Sequence, residues 1–199
     1  MTTVRRATRA DLDAVVALLY ETAAGMYDMY AGSPAAAERV LRAAYDRPGT
    51  TASREIVWVA EVDGGVAGAI AIFPVADGDA RARRFLRLTL SRTPPWRWPR
   101  ALRVFRLGPR LTPAAPADAM YVDALATNPL FRRRGVATAL LACAQEEARA
   151  HGLTQLALDT ADRNTPAQAL YESFGMIRSA TTEPLPPIPG SVGYVKPVR

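Results

Sequence analysis

A chain of 199 residues, 49% apolar and 22% charged with a net charge of +6, has the make-up of one globular domain large enough to bury a core. Its single cysteine, Cys143, excludes an internal disulfide and a CxxC metal site, and its single histidine, His151, argues against a zinc centre or a Ser/His/Asp triad. Arg5, Arg6, Arg9, Asp11 and Asp13 precede any apolar run that could act as a signal sequence, and no stretch of 18 apolar residues occurs, so a cytoplasmic protein without a membrane span is expected.

Val4 to Ala7 reads as a short first strand. Asp11 is suited to cap a helix running to about Tyr27, with Leu12, Val15, Val16 and Leu19 on its inner side. Ser33 and Pro34 open a second helix to Tyr45, which stops before Pro48-Gly49. Glu55 to Glu61 and Val66 to Val75 form strands joined by the hairpin turn Asp63-Gly64-Gly65. Asp77 to Asp118 is too long for a structureless connection in a compact domain, so helix is expected there. Between Arg81 and Arg110 it carries ten arginines and no acid, which leaves the rest of the chain net acidic. Arg100, Arg103, Arg106 and Arg110 recur at helical spacing among Leu102, Phe105 and Leu107, with Trp96 and Trp98 beside proline breakers; the pattern suggests an amphipathic lid.

Met120 to Thr127 is the fourth strand. It leads through RRRGVA, Arg132 to Ala137, into an amphipathic helix from Gly135 to His151 whose buried face is Ala137, Leu140, Leu141, Ala144 and Ala148. Cys143 on this helix reads as a small buried apolar residue, with no histidine placed to make it a nucleophile. A helix start exposes unpaired N–H groups and the positive end of its dipole, and Gly135 removes a side chain where an anion would touch backbone. The junction is neither GxxxxGK[ST] nor GxGxxG, which disfavours a nucleotide triphosphatase or a dinucleotide oxidoreductase. An arginine triplet before a helix is also compatible with a merely solvated face. Leu153 to Asp159 is the fifth strand, Pro166 to Phe174 a helix, and Met176 to Ala180 with Val192 to Val195 a closing pair. Glu183 to Gly190, with four prolines, is a surface loop.

Two stretches carry a family resemblance. LATNPLFRRRGVATALL resembles the signature of the GNAT N-acetyltransferase superfamily, a strand leading through a short loop into [QR]xxGx[GA] and a helix, with Arg132, Gly135 and Ala137 at its defining positions. NTPAQALYESFGM resembles the second motif, NxxAxxLYxxxGF, with Asn164, Ala167, Leu170, Tyr171 and Gly175 in register and Met176 in place of Phe. The resemblance covers Met120 to Ala180 strongly and the N-terminal half only by pattern. It implies an α+β fold in one domain: a central mixed, mostly antiparallel sheet of about seven strands flanked by helices; the basic insertion between the third and fourth strands is a departure from a minimal member of that family. It also implies acetyl-CoA as co-substrate and no metal. The diphosphate would meet the amides of Arg133, Arg134, Gly135, Val136 and Ala137 and the Thr138 hydroxyl, with Arg132 nearby in charge. The pantetheine arm would run along Leu125, Ala126 and Thr127, with Asn164 bonding it from the other side.

Acyl transfer to an amine needs a base for the ammonium proton and an acid for the departing thiolate. Tyr171 stands where the resembling family places its general acid. For the base, strand alternation puts Tyr121, Asp123, Leu125 and Thr127 on one face, and members with a base in this strand use such places. Asp123 serves if burial raises its pKa; otherwise it holds an arginine of the lid, and Tyr121 positions a water. Glu21 and Asp28 are further candidates for amine contacts.

The favoured reading is an acyl-CoA N-acyltransferase that acetylates a small-molecule or peptide amine by direct attack in a ternary complex. The competing one is a non-catalytic acyl-CoA-binding module whose basic insertion meets nucleic acid, an anionic membrane or a protein. Under the favoured reading nucleic acid is not the expected partner, and a homodimer stays open. In position, the insertion resembles the element that roofs the acceptor site in small-molecule acetyltransferases of the puromycin-modifying kind.

Overall fold

The computed structural model describes residues 2–185 and 188–198. Among them, seven strands form one sheet in the order β1-β2-β3-β4-β5-β7-β6. They are β1 Thr3–Arg6, β2 Val57–Val62, β3 Gly65–Pro74, β4 Ala119–Thr127, β5 Gln155–Ala161, β6 Ile177–Thr182 and β7 Ser191–Pro197. Every neighbouring pair is antiparallel except β4 and β5. The closing pair therefore forms, but with the last strand inside the sheet and β6 at its edge. Leu185 and Ile188 exchange two backbone hydrogen bonds, which gives the loop before β7 a tight fold; the proline positions 186 and 187 lie outside the described residues.

Helices α1 Leu12–Thr22, α2 Ala24–Ala31 and α3 Pro34–Tyr45 cover one face, where Val15, Leu19, Val40, Leu41 and Tyr45 pack against Val57, Val59, Ala69 and Ala71 of the sheet. The single first helix expected from sequence is two. Ala23, at φ −151° and ψ 41°, breaks it, and α2 turns from the sheet to pack on α3 and the insertion. Asp11 does not cap α1 as expected. It belongs to a preceding turn of 3₁₀ helix, where its carboxylate accepts from the Thr8 amide at 2.7 Å and from Arg5 at 2.8 Å, which holds it well below the usual carboxylate range. Glu55 and Ile56 likewise belong to a 3₁₀ turn before β2 rather than to the strand.

The insertion is helical, as its length required: α4 Gly78–Arg92 and α5 Trp98–Leu111. Its apolar side chains do more than cover a site. Phe85 and Leu88 belong to the core under α1–α3, and Phe85 meets the rings of Tyr27 and Tyr30 edge-on. Trp96 is 78% exposed at the corner between the two helices and contributes nothing to that core. The tryptophans are therefore peripheral, whereas the leucines and Phe85 tie the segment to the body.

The opposite face carries α6 Val136–Ala150 and α7 Thr165–Ser173. Helix α6 buries Val136, Leu140, Leu141, Ala144 and Ala148, four of them the face read from sequence, with Val136 in place of Ala137. Gly68 in β3 permits this close approach. A Cβ there would stand 2.8 Å from the Ala126 carbonyl oxygen and 2.8 Å from Val136 Cγ1. Gly68→Val is expected to destabilise the fold by about 1–3 kcal/mol through overpacking. An unchanged midpoint in denaturant would mean that α6 can retreat at no cost.

Candidate active site

The chain leaves β4 at Thr127 and turns through a short 3₁₀ segment, Pro129–Phe131, capped by the Asn128 side chain, which accepts from the Leu130 amide at 3.1 Å. Arg132 Nε reaches back to the Thr127 carbonyl at 3.4 Å. Two residues then take positive φ, Arg133 at 60° and Gly135 at 77°. Ala139 is the first amide of α6 to reach a carbonyl of the chain, that of Gly135 at 2.9 Å, and no side chain caps the helix. The amides of Val136, Ala137 and Thr138 are thus presented outward, as a helix N-terminus leaves them. A Cβ on Gly135 would meet nothing within 4 Å, so the space before the loop is open. Free amides, a positive dipole end and open space fit a diphosphate.

Beside this loop the sheet splits. Parallel pairing of β4 with β5 ends at Val122 and Leu158, while β3 keeps its partnership with β4 as far as Thr127. The far edge of Leu125–Thr127 is left without a strand. A cleft of about 860 Å³ fills the split. Arg132, Arg133, Gly135, Val136, Ala137, Thr138, Leu125, Ala126, Thr127 and Asn164 all line it, as do Asp123 and Tyr171. Arg134 does not line it, and its guanidinium lies 5.6 Å over the Phe131 ring.

Asp123 reaches the cleft by a route that alternation does not predict. Ala71 pairs with Ala124 and Ile72 with Val122, so Asp123 is the extra residue of a β-bulge. The bulge resets the parity of the strand. Tyr121 and Ala124 pack with the α1–α3 core and Leu125 with the α6 core, so the expected shared face of Tyr121, Asp123, Leu125 and Thr127 is not formed. The Asp123 side chain touches solvent through the cleft, yet protein crowds around it. That desolvation, reinforced by the charge of Asp159, pushes its carboxyl up to about 7 against the opposing pull of Arg81. It forms no ion pair with an arginine of the insertion among the described residues. Arg81 is instead held by Glu55 at 2.9 Å.

Asp159 is a site residue that the sequence reading passed over. It stands on β5 just past the last parallel pair, accepts a hydrogen bond from the Tyr121 hydroxyl across the split, and lies 2.5 Å from Ser191 Oγ of β7. Both carboxylate oxygens are engaged, which holds the side chain in place. The only trace of it in the sequence is an acid ending an apolar strand. Tyr121, bound to Asp159 and buried, has its pKa raised well above the usual phenol value and is no base.

Tyr171 rises from α7, whose start Asn164 caps by accepting from the Ala167 amide at 3.4 Å; Asn164 also donates to Thr160 Oγ1 at 3.1 Å. The Tyr171 ring is buried, 5.6 Å from that of Tyr194. Its hydroxyl makes no hydrogen bond among the described residues and opens onto the cleft. Burial, then Asp159, pushes its pKa up to about 12, so it stays protonated at neutral pH. Glu21 lines the cleft at the break between α1 and α2, whereas Asp28 accepts from the Tyr20 hydroxyl at 3.0 Å and does not line it. Cys143 is half-buried, its thiol pushed up to about 11 by burial, which leaves it unreactive. No described helix is long and apolar enough to cross a membrane.

The model of the acetyltransferase (GNAT) family matches residues 23–176. The chain belongs to the GNAT acetyltransferase family. This GNAT chain resembles, at 22% identity and a TM-score of 0.71, a solved acetyltransferase, with 99% of this chain and 100% of that one covered. It resembles an N-acetyltransferase from Staphylococcus aureus Mu50 at 19% identity and a TM-score of 0.74, covering 98% and 100%. A ribosomal-protein-S18-alanine N-acetyltransferase from Escherichia coli aligns at 16% identity and a TM-score of 0.57, covering 100% and 94%. No curated protein matches. Membership makes the chain an acyl-CoA N-acyltransferase of a family that uses acetyl-CoA, and the non-catalytic reading is not favoured.

Proposed function

We propose that this GNAT enzyme transfers the acetyl group of acetyl-CoA directly to a primary amine of a small molecule or peptide, within a ternary complex. What supports this most is that the outward amides of α6, the Asp123 carboxyl and the Tyr171 hydroxyl open onto one cleft. The amides of Arg133, Gly135, Val136 and Ala137 and the Thr138 hydroxyl bind the diphosphate, and Arg132 adds positive charge; Arg134, which does not line the cleft, takes no part. The open edge of Leu125, Ala126 and Thr127 takes the pantetheine amides as a strand would. Asn164 has an amide hydrogen left after its cap and its bond to Thr160, enough to hold the arm from the other side.

The thioester supplies an activated acyl carbon. Asp123, its carboxyl pushed up to about 7 by desolvation, takes the proton from the ammonium, and the freed amine forms the C–N bond. Tyr171 gives its proton to the thiolate as the C–S bond breaks, the second proton leaving the acylated nitrogen returns Tyr171 to its phenol form, and Asp123 releases its proton to solvent. Release of coenzyme A over a panel of amines tests the reading; no amine-dependent release from folded protein would reject it.

The cradle has its own test. Gly135→Val places a β-branched residue at a φ it rarely adopts and puts its side chain in the path of the diphosphate. Coenzyme A is expected to bind more than tenfold more weakly, a loss above ~1.4 kcal/mol. Unchanged affinity by calorimetry, with the fold intact, would move the diphosphate elsewhere.

A further inference from the structure

The charges in the cleft are sorted. Its lining arginines, Arg132 and Arg133, belong to the cradle, and the other charged residues lining it are acids: Glu21, Asp123 and Asp159. The sorting runs against composition, since the chain holds ten arginines in the insertion alone, and the insertion lends the cleft only Gly108, Leu111 and Thr112. Asp159 is occupied by Tyr121 and Ser191, but Glu21 and Asp123 form no ion pair among the described residues. Met26 and Met29 of α2 and Leu111 of α5 supply apolar wall.

We infer that the acceptor is an organic cation: an amine with an apolar body and no anionic group, its ammonium drawn to Asp123 and Glu21. The inference rests on the acetyl-transfer reading of this cleft and narrows it. An amino acid, an acidic peptide or a phosphorylated compound would bring a negative charge among three acids, with no arginine or lysine among the described lining residues to receive it outside the cradle. The methionines, flexible and polarizable, suit an apolar body without demanding one shape. The arginines of the insertion are thereby removed from substrate recognition.

Matched pairs that differ by one carboxylate provide the experiment: tryptamine against tryptophan, and phenethylamine against phenylalanine. Acetyl transfer would be measured for each compound, together with its binding to protein carrying coenzyme A. The amine is expected to exceed its carboxylated counterpart by about a hundredfold or more in kcat/KM. Glu21→Arg, at an exposed position, is expected to narrow that gap by giving the carboxylate a partner. Equal or reversed preference within the pairs, or no binding of either amine, would overturn the inference. If tryptophan is acetylated as well as tryptamine and Tyr171→Phe lowers both about a hundredfold, the acceptor class fails and acetyl transfer stands. If the amines bind selectively but no coenzyme A is released, acetyl transfer fails and the cation pocket stands.

Discussion

Tyr171→Phe is expected to lower kcat about a hundredfold and to leave acetyl-CoA affinity nearly unchanged, because the variant loses only the proton given to the departing thiolate. The position makes this a clean substitution. The ring packs beside Tyr194 in the core under α6, and phenylalanine keeps that packing. The hydroxyl has no hydrogen-bond partner among the described residues, so its removal orphans no donor or acceptor and the melting temperature should hold. A wild-type kcat in the variant would remove Tyr171 from the mechanism.

Asp123→Asn is expected to cost at least about a hundredfold in kcat/KM and to change the shape of the pH profile. In the wild type, the base must be ionised, so activity should rise through pH about 7 as the carboxyl loses its proton, with a tenfold fall per unit below. The variant should lose that limb, and a profile identical to the wild type would exclude Asp123 as base. Stability should move the other way. The folded pKa lies above the unfolded one, so the native state is favoured fully only below the unfolded value near ~3.9 and loses that advantage as pH rises to about 7. Asparagine should therefore raise the melting temperature at pH 8 and leave it unchanged near pH 4.

Much of the cradle was legible because its signals are local. A glycine at a left-handed position and a helix N-terminus occupy a few consecutive residues, and RRRGVA followed by a periodic apolar face encodes both. The same holds for α7, where Asn164 and a proline announce the helix start that brings Tyr171 to the cleft. The insertion was legible as helix from its length and arginine spacing, but its partners were not. Periodicity marks an apolar face without saying what covers it, and Phe85 and Leu88 turned out to complete the core beneath α2 and α3. The break at Ala23 was hidden for a related reason. Nothing in the residues around Ala23 forbids helix, and the turn comes from α2 packing on α3 and α5 while α1 packs on the sheet.

By itself the sequence determined the succession of strands, the left-handed glycine turn at the start of α6, the helix that carries Tyr171 and the membership that these motifs express. Only the tertiary structure decided how Asp123 is presented and what raises its pKa. Its bulge exists because β4 keeps two registers against β3, on either side of one unmatched residue, which is a property of the pair and not of either strand. Its raised pKa comes from crowding and from Asp159, carried in on β5 and secured by Ser191 of β7, segments far from it along the chain. Electrostatic environment is a sum over neighbours in space, and such neighbours are assigned only when the sheet closes with β7 between β5 and β6.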